Sequence, residues 1–215
     1  MTKRRIIGIY LAAGKSSRMG TNKLMLPLKE ERLGSMALKK ALHSNLYHVV
    51  IVTREGDTLD WIAPELFAHP LLEKWSSVAC PRSSYGQSYS LKCGLKQAYQ
   101  LRAEAVIILL ADQPFITEHM INQLIFYYES CPLPYITVTH NGIPMPPTLF
   151  SAETFPLLLQ LKEDEGARKL IRKQWKEKGM RLEYEDPLYF LDIDTKQDYF
   201  LATTELKRKR GTSSI

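Results

Sequence analysis

The chain has 215 residues with 45% hydrophobic and 24% charged residues, 11 Gly and 12 Pro. Those proportions suit one large α/β domain whose core needs no covalent staples, and they exclude disordered and fibrous architectures. Lys plus Arg exceed Asp plus Glu by 29 to 23, a net +6, which favours anionic partners such as nucleotides and phosphorylated cofactors.

Part of that surplus is local. Lys3-Arg4-Arg5 lies near one end and Lys207-Arg208-Lys209-Arg210 near the other; read as solvated ends, they leave a nearly neutral interior. No zinc-finger spacing and no aromatic-basic pattern is present, so no nucleic-acid partner is expected. The longest apolar run, residues 105–111, is far short of the roughly 20 residues that span a bilayer, so no membrane partner is expected. Lys3-Arg4-Arg5 followed by the apolar residues 6–13 imitates an export signal. Against export stand Cys80, Cys93 and Cys131, an odd set with no CxxC, read as buried thiols of a reducing, cytoplasmic protein. One domain is expected over residues 1–206, with a basic, disordered tail at 207–215.

Short β-branched runs alternate with longer amphipathic stretches. Strands are predicted at residues 6–11, 48–53, 77–80, 105–110, 135–139 and 188–192. Helices are predicted at 35–43, 58–67, 88–101, 118–130, 152–161, 166–178 and 195–206. Val106-Ile107-Ile108-Leu109-Leu110 is apolar on both faces, as in a central parallel strand covered by helices. The alternation argues an α/β fold with a three-layer, doubly wound and mostly parallel sheet, in which ligands sit beyond the carboxyl ends of the strands.

The first such exit is Leu11-Ala12-Ala13-Gly14-Lys15-Ser16-Ser17-Arg18-Met19-Gly20, with Lys23 three residues on. Small residues admit a ligand close to the backbone, whose N–H groups can cradle phosphate oxygens, and Arg18 and Lys23 add fixed positive charge. A P-loop needs four residues between its glycines, whereas Gly8 and Gly14 enclose five, and GxGxxG is absent. Asp112 follows directly on an apolar strand, where a carboxylate loses hydration unless something compensates. A divalent cation bridging to a triphosphate is one such partner. Thr117 is the better cap for the helix that follows. Asp192 and Asp194 alternate along a predicted strand, so only one of them can share a site with Asp112. Asp198 reads as a helix-start charge. Gly86-Gln87-Ser88-Tyr89-Ser90 imitates a nucleophile elbow but ends in Ser and follows no apolar strand. Residues 140–148 read as a rigid, exposed loop at a strand end. The five histidines show no metal spacing, and Trp61, Trp75 and Trp175 read as packing.

Leu-Ala-Ala-Gly, Ser-x-Arg-Met-Gly and Lys23 together resemble the signature of the molybdenum cofactor cytidylyltransferase-like (MobA-like NTP transferase) family. Gly86-Gln87-Ser88-Tyr89-Ser90-Leu91 with Gly94, Ala111-Asp112-Gln113-Pro114, and Leu191-Asp192-Ile193-Asp194-Thr195 with Asp198 fit the same family in order. Glu165-Gly166-Ala167-Arg168 is similar to a further block of the cytidylyl branch. The resemblance includes members that help mature xanthine dehydrogenase in purine catabolism. It implies a Mg²⁺-dependent transfer of CMP from CTP to the terminal phosphate of a molybdopterin-type cofactor, with a molybdenum hydroxylase apoenzyme as a further partner. It also implies nucleotide contacts from Leu11, Ala12, Ala13, Gly14, Lys15, Arg18, Lys23, Gly86 and Ser90, catalytic roles for Arg18, Lys23 and Asp112, and metal ligation by Asp112 and Asp192. Asp192 is chosen there over Asp194. The family's guanylyl branch has Leu-Ala-Gly-Gly; the added methyl of Ala13 favours CTP over GTP, since overpacking against a ring costs about 1–3 kcal/mol. A sugar or polyol phosphate acceptor, or a non-catalytic maturation factor, would keep the same fold.

Overall fold

Residues apolar on both faces have to be covered twice, and that requirement builds the middle of the molecule. The computed structural model describes residues 4–15, 19–173 and 178–211. Its strands are β1 (Ile6–Leu11), β2 (Pro27–Leu28), β3 (Glu31–Arg32), β4 (His48–Thr53), β5 (Trp75–Ala79), β6 (Ala105–Leu110), β7 (Tyr135–His140), β8 (Ile143–Ser151) and β9 (Met180–Glu183). Its α-helices are α1 (Leu33–His43), α2 (Gln87–Gln100), α3 (Glu118–Ser130), α4 (Phe155–Leu158), α5 (Arg168–Lys173) and α6 (Lys196–Gly211).

Seven strands form one sheet in the order β5-β4-β1-β6-β8-β7-β9. The pairs β4–β5, β1–β4, β1–β6 and β7–β9 are parallel, and β8 runs antiparallel to both of its neighbours. Successive residues of β1 and β6 enter opposite cores, as a period of two demands. Ile6, Tyr10, Ile107 and Leu109 face Leu38 and Leu42 of α1 and Ile121 and Leu124 of α3. Ile7, Ile9, Val106 and Ile108 face Leu91 and Leu95 of α2, Phe155 of α4 and Ile171 of α5. The result is the mostly parallel three-layer sheet expected from the pattern. Gly94 sets the α2 approach: a Cβ there would overlap Ile9 and come 3.0 Å from Val52.

Several elements differ from expectation. Residues 188–192 are no strand: Asp186 caps a 3₁₀ turn at Pro187–Phe190 by accepting from Leu188 N–H (2.9 Å), and the chain leaves it in an irregular path. Residues 140–148 are largely strand. The three prolines of β8 avoid the penalty of a missing N–H because the β7–β8 register shifts between Thr137 and Val138, and β6 pairs only with residues 148–151. The helix predicted at 58–67 shrinks to a 3₁₀ turn, Pro64–Phe67. There Asp57 Oδ1 accepts from Leu59 N–H (2.9 Å) and Trp61 Nε1–H (3.0 Å), a local alternative to helical bonding. The predicted 152–161 helix is a 3₁₀ turn followed by α4, with Pro156 in its first turn. The helix predicted at 166–178 is described only as α5, and 174–177 lie outside the described residues, Trp175 with them. β9 is a short edge strand of four residues, outside the predicted strands. α6 continues past residue 206, where the domain was expected to end, to Gly211. Cys80 and Cys93 are not separate thiols: they form a disulfide (Cα–Cα 6.0 Å), because α2 lies across β5, whereas Cys131 is free and exposed.

Candidate active site

Leu11 and Leu110 end side by side in the register of β1 and β6. The chain then continues the pairing for one more residue: Ala12 N–H donates to Val52 O (2.8 Å) and Ala111 N–H to Leu11 O (3.1 Å). Both exits therefore open on one rim. A cleft of about 470 Å³ lies there, with Leu11, Ala12, Ala13, Gly14 and Lys15 along one wall and Ala111 and Asp112 beside them. Gly86 and Ser90 face in from the α2 side, and Lys23 and Asp194 complete the cationic–acidic corner. Arg18 lies outside the described residues.

Lys23 opens a 3₁₀ turn, Lys23–Met25, capped by Asn22, whose side chain accepts from Leu24 N–H at 3.2 Å. The Lys23 side chain is only 8% exposed, and its Nζ donates to Asp112 Oδ2 (2.7 Å) and Asp194 Oδ1 (2.8 Å). Burial alone would lower the Lys23 pKa; the charges of Asp112 and Asp194, and the hydrogen bonds to them, outweigh it and hold the ammonium above its ordinary value.

The second acidic segment is held by its neighbours. Ile193 N–H donates to Asp112 O (3.0 Å), which ties the two segments together. Asp198 Oδ2 accepts from Asp194 N–H (3.2 Å), Thr195 N–H (2.7 Å) and Thr195 Oγ1 (2.8 Å), while Thr195 Oγ1 accepts from Asp198 N–H (3.2 Å). This reciprocal capping makes Asp198 the helix-start charge expected of it and orients Asp194 toward Lys23. Thr117 likewise caps α3, accepting from Met120 N–H at 3.1 Å.

Strand alternation cannot choose between Asp192 and Asp194, because no strand is there. Asp194 borders the cleft and bonds to Lys23, whereas Asp192 is absent from the cleft wall. Asp192 Oδ1 is buried without a hydrogen-bond partner, and burial, then the charge of Asp112, pushes its carboxyl up to about 6. Of the two acids, it is Asp194 that the fold brings to the cleft beside Lys23 and Asp112. The donor set fits a divalent cation: two carboxylates converge on one point, where a cationic nitrogen now sits. Among the described residues no group of three or more His, Cys, Asp or Glu could hold a metal. Phosphate oxygens and water would therefore complete the shell, as is usual for Mg²⁺.

At the other end of the cleft, Ser83, Ser84 and Tyr85 form a 3₁₀ turn leading into Gly86, whose φ of +128° favours glycine. A Cβ on Gly86 would overlap the Glu163 backbone, and Ser88 N–H donates to Glu163 O (3.0 Å). This seats Asp164 at the cleft. Ser83, Ser84 and Tyr85 were missed although they lie directly before the Gly86 motif, and Asp164 had no local signal, since only the tertiary fold brings its loop in. A smaller cavity of about 50 Å³ shares Leu11, Gln87 and Leu110 with the cleft and reaches Pro146, Thr148 and Arg168.

A family model described as MobA-like NTP transferase domain matches residues 8–178. Purine catabolism protein PucB from Bacillus subtilis (strain 168) is 41% identical over 195 residues, covering 90% of this chain and 94% of that protein. The crystal structure of Rv0371c from Mycobacterium tuberculosis H37Rv shares the fold with a TM-score of 0.74 at 22% identity, over 95% of this chain and 100% of the other. A nucleotidyl transferase from Methanothermobacter gives a TM-score of 0.74 at 18% identity, over 95% and 99%.

Proposed function

The chain belongs to the MobA-like NTP transferase family, a family of nucleotidyltransferases, and from that premise we propose that it transfers CMP from CTP to the terminal phosphate of molybdopterin or its molybdenum form. The observation that carries the chemistry is the Lys23 ammonium held between Asp112 and Asp194 at the edge of the cleft. A phosphate oxygen of the acceptor attacks the α-phosphorus of CTP in line; the new O–P bond forms as the bond to pyrophosphate breaks. Phosphoryl chemistry of this kind needs positioning and charge neutralisation and no protein nucleophile.

The backbone N–H groups of Ala13 and Gly14 and the side chain of Lys15 bind the phosphates, while Ala12, whose N–H is held by Val52 O, shapes the wall beside them. Lys23 moves from the carboxylates to the triphosphate when the nucleotide enters, and Arg18 adds a further cation. A Mg²⁺ ion held by Asp112 and Asp194 would neutralise phosphate charge and fix the geometry of attack. Gly86 and Ser90 face the base. Ala13 lines the cleft, and its methyl, at a position where the guanylyl branch has glycine, supports CTP over GTP. The likeness to a protein named for purine catabolism supports a molybdenum hydroxylase of xanthine dehydrogenase type as the recipient. A cytoplasmic setting suits that chemistry.

The test is pyrophosphate release with CTP, GTP, ATP and UTP, each with and without molybdopterin and Mg²⁺. Release that requires CTP, molybdopterin and the cation together is the expected result. Release with GTP in preference to CTP overturns the base assignment, and release with a sugar phosphate in place of molybdopterin overturns the acceptor.

A further inference from the structure

The disulfide spans the base-binding wall of the cleft. Cys80 follows β5, is fully buried, and donates its N–H to Thr53 O (2.8 Å), so it is fixed to the sheet. Cys93 lies on α2, one turn beyond Ser90 and next to Gly94, where α2 is pressed onto β1. Between the two sulfurs run Ser83, Ser84, Tyr85, Gly86, Gln87 and Ser90, all lining the cleft. The backbone bonds of the stretch leading into α2 are short-range: Ser83 N–H to Cys80 O (3.0 Å), Tyr85 N–H to Arg82 O (3.0 Å) and Tyr89 N–H to Gly86 O (3.2 Å). The bond from Ser88 N–H to Glu163 O reaches outside it, and Arg82, Ser84 and Tyr85 are exposed. A loop tethered so lightly is ordered by the covalent closure at its ends.

The bond is also reachable. An open groove outside the nucleotide cleft touches both cysteines and is lined by Arg82, Lys92 and Lys96. Cys93 is the less buried of the two sulfurs' residues, so it is the one presented to an attacking thiol. Cations there attract an anionic thiolate.

We propose that the Cys80–Cys93 pair is a redox-controlled clamp on the nucleotide-binding wall, closed when oxidised and slack when reduced. A thiolate of a small-molecule thiol attacks Cys93 Sγ, giving a mixed disulfide and releasing Cys80 as a thiolate that takes up a proton. A second thiol then frees Cys93, so two electrons pass from two thiols, which leave as their own disulfide. The reduced wall must be ordered again at each binding event, which weakens CTP by about tenfold.

The inference rests on the nucleotide reading of the cleft, and the experiment separates the two. CTP dissociation constants are measured by calorimetry on full-length protein oxidised with diamide and reduced with a phosphine, with thiols counted in each sample. The expected result is two more thiols in the reduced sample and a dissociation constant about tenfold higher. C93S is expected to show the reduced-form value in both conditions, and C131S to behave as the parent. Equal CTP affinity in the two states, or three thiols that diamide does not close, overturns the clamp and leaves the nucleotide reading standing. CTP binding to neither state overturns both.

Discussion

The two halves of the sheet are built on different rules. On one side, β5, β4, β1 and β6 are all parallel, so their carboxyl ends reach one rim, and every loop leaving that rim can touch the same ligand. On the other side β8 turns back between β6 and β7 and brings Pro146 and Thr148 to a small cavity on the flank of that rim, where Arg168 of α5 joins them. The parallel half thus gathers charge at a point, and the antiparallel half supplies a wall. Chemistry should concentrate in the first, and the second should matter for stability and acceptor fit.

The sharpest way to break this contrast is at the carboxylates. Asp112→Ala and Asp194→Ala each remove a carboxylate that bonds to Lys23 and, on the proposed reading, a donor to the cation. Each is expected to lower pyrophosphate release on the order of 10²–10³-fold with the fold retained, as steady-state rates and circular dichroism would show. Asp192→Ala, outside the cleft wall, should cost less than about tenfold. If Asp192 and Asp194 exchanged these effects, the assignment of the reacting carboxylates to the Lys23 corner would fail.

Gly86→Ala tests the wall opposite. At φ +128° a Cβ is strained, and here it also meets the Glu163 backbone. Strain of that kind is worth about 1–3 kcal/mol, so urea unfolding should show a loss of that size together with weaker CTP binding. An unchanged midpoint would mean that the 162–166 loop swings away freely and is no part of the site.

The same contrast explains what could be read in advance. β1, β4, β6 and α3 match their predicted limits residue for residue: the strands are short, dense runs of β-branched and aliphatic residues, and α3 opens at its Thr117 cap. The rim residues were legible because Leu11 to Lys15 and Asp112 lie at or just past a strand end, and Lys23 follows the loop that leaves the first of them. Prolines concealed β8, since their missing N–H argues against a strand until a register shift excuses it. The residue pattern left Asp192 and Asp194 open because the apolar Leu188-Tyr189-Phe190 run looked like a strand, when Asp186-Pro187 starts a turn instead and the chain beyond it carries Asp194 to Lys23. The Cys80–Cys93 pairing depends on α2 lying over β5, a tertiary fact with no trace in cysteine spacing.

Asp192 gives a smaller, pH-dependent effect. Its carboxyl is pushed up to about 6 in the fold, against about 3.9 in an unfolded chain. The native state therefore holds the proton more tightly. Below about pH 4 both states are protonated and the fold carries no penalty; between about pH 4 and 6 stability falls as the unfolded state alone ionises; above that the full penalty persists. Asp192→Asn should raise the melting temperature at pH 8, through something on the order of 1–3 kcal/mol, and leave it nearly unchanged at pH 4. An equal gain at both pH values would mean that the charge has no part in it.

The smallest expected effect belongs to the antiparallel half. Thr137 Oγ1 and Thr148 Oγ1 are 2.7 Å apart and share a hydrogen bond, and both lie 3.1 Å from Met145 O, which accepts from the hydroxyl left free to donate, where the register shifts. Thr137→Val keeps the shape and β-branching but removes one hydroxyl from this buried group, so it should lower stability by about 1 kcal/mol in urea unfolding. Because Thr137 is absent from the cleft wall, the KM for CTP should stay within about twofold of the parent. A raised KM for the acceptor with an unchanged KM for CTP would give this half a substrate-facing role after all. A loss of CTP binding would instead show that the shifted register holds the rim itself in place, and the division between a reacting half and a supporting half would fail at β8.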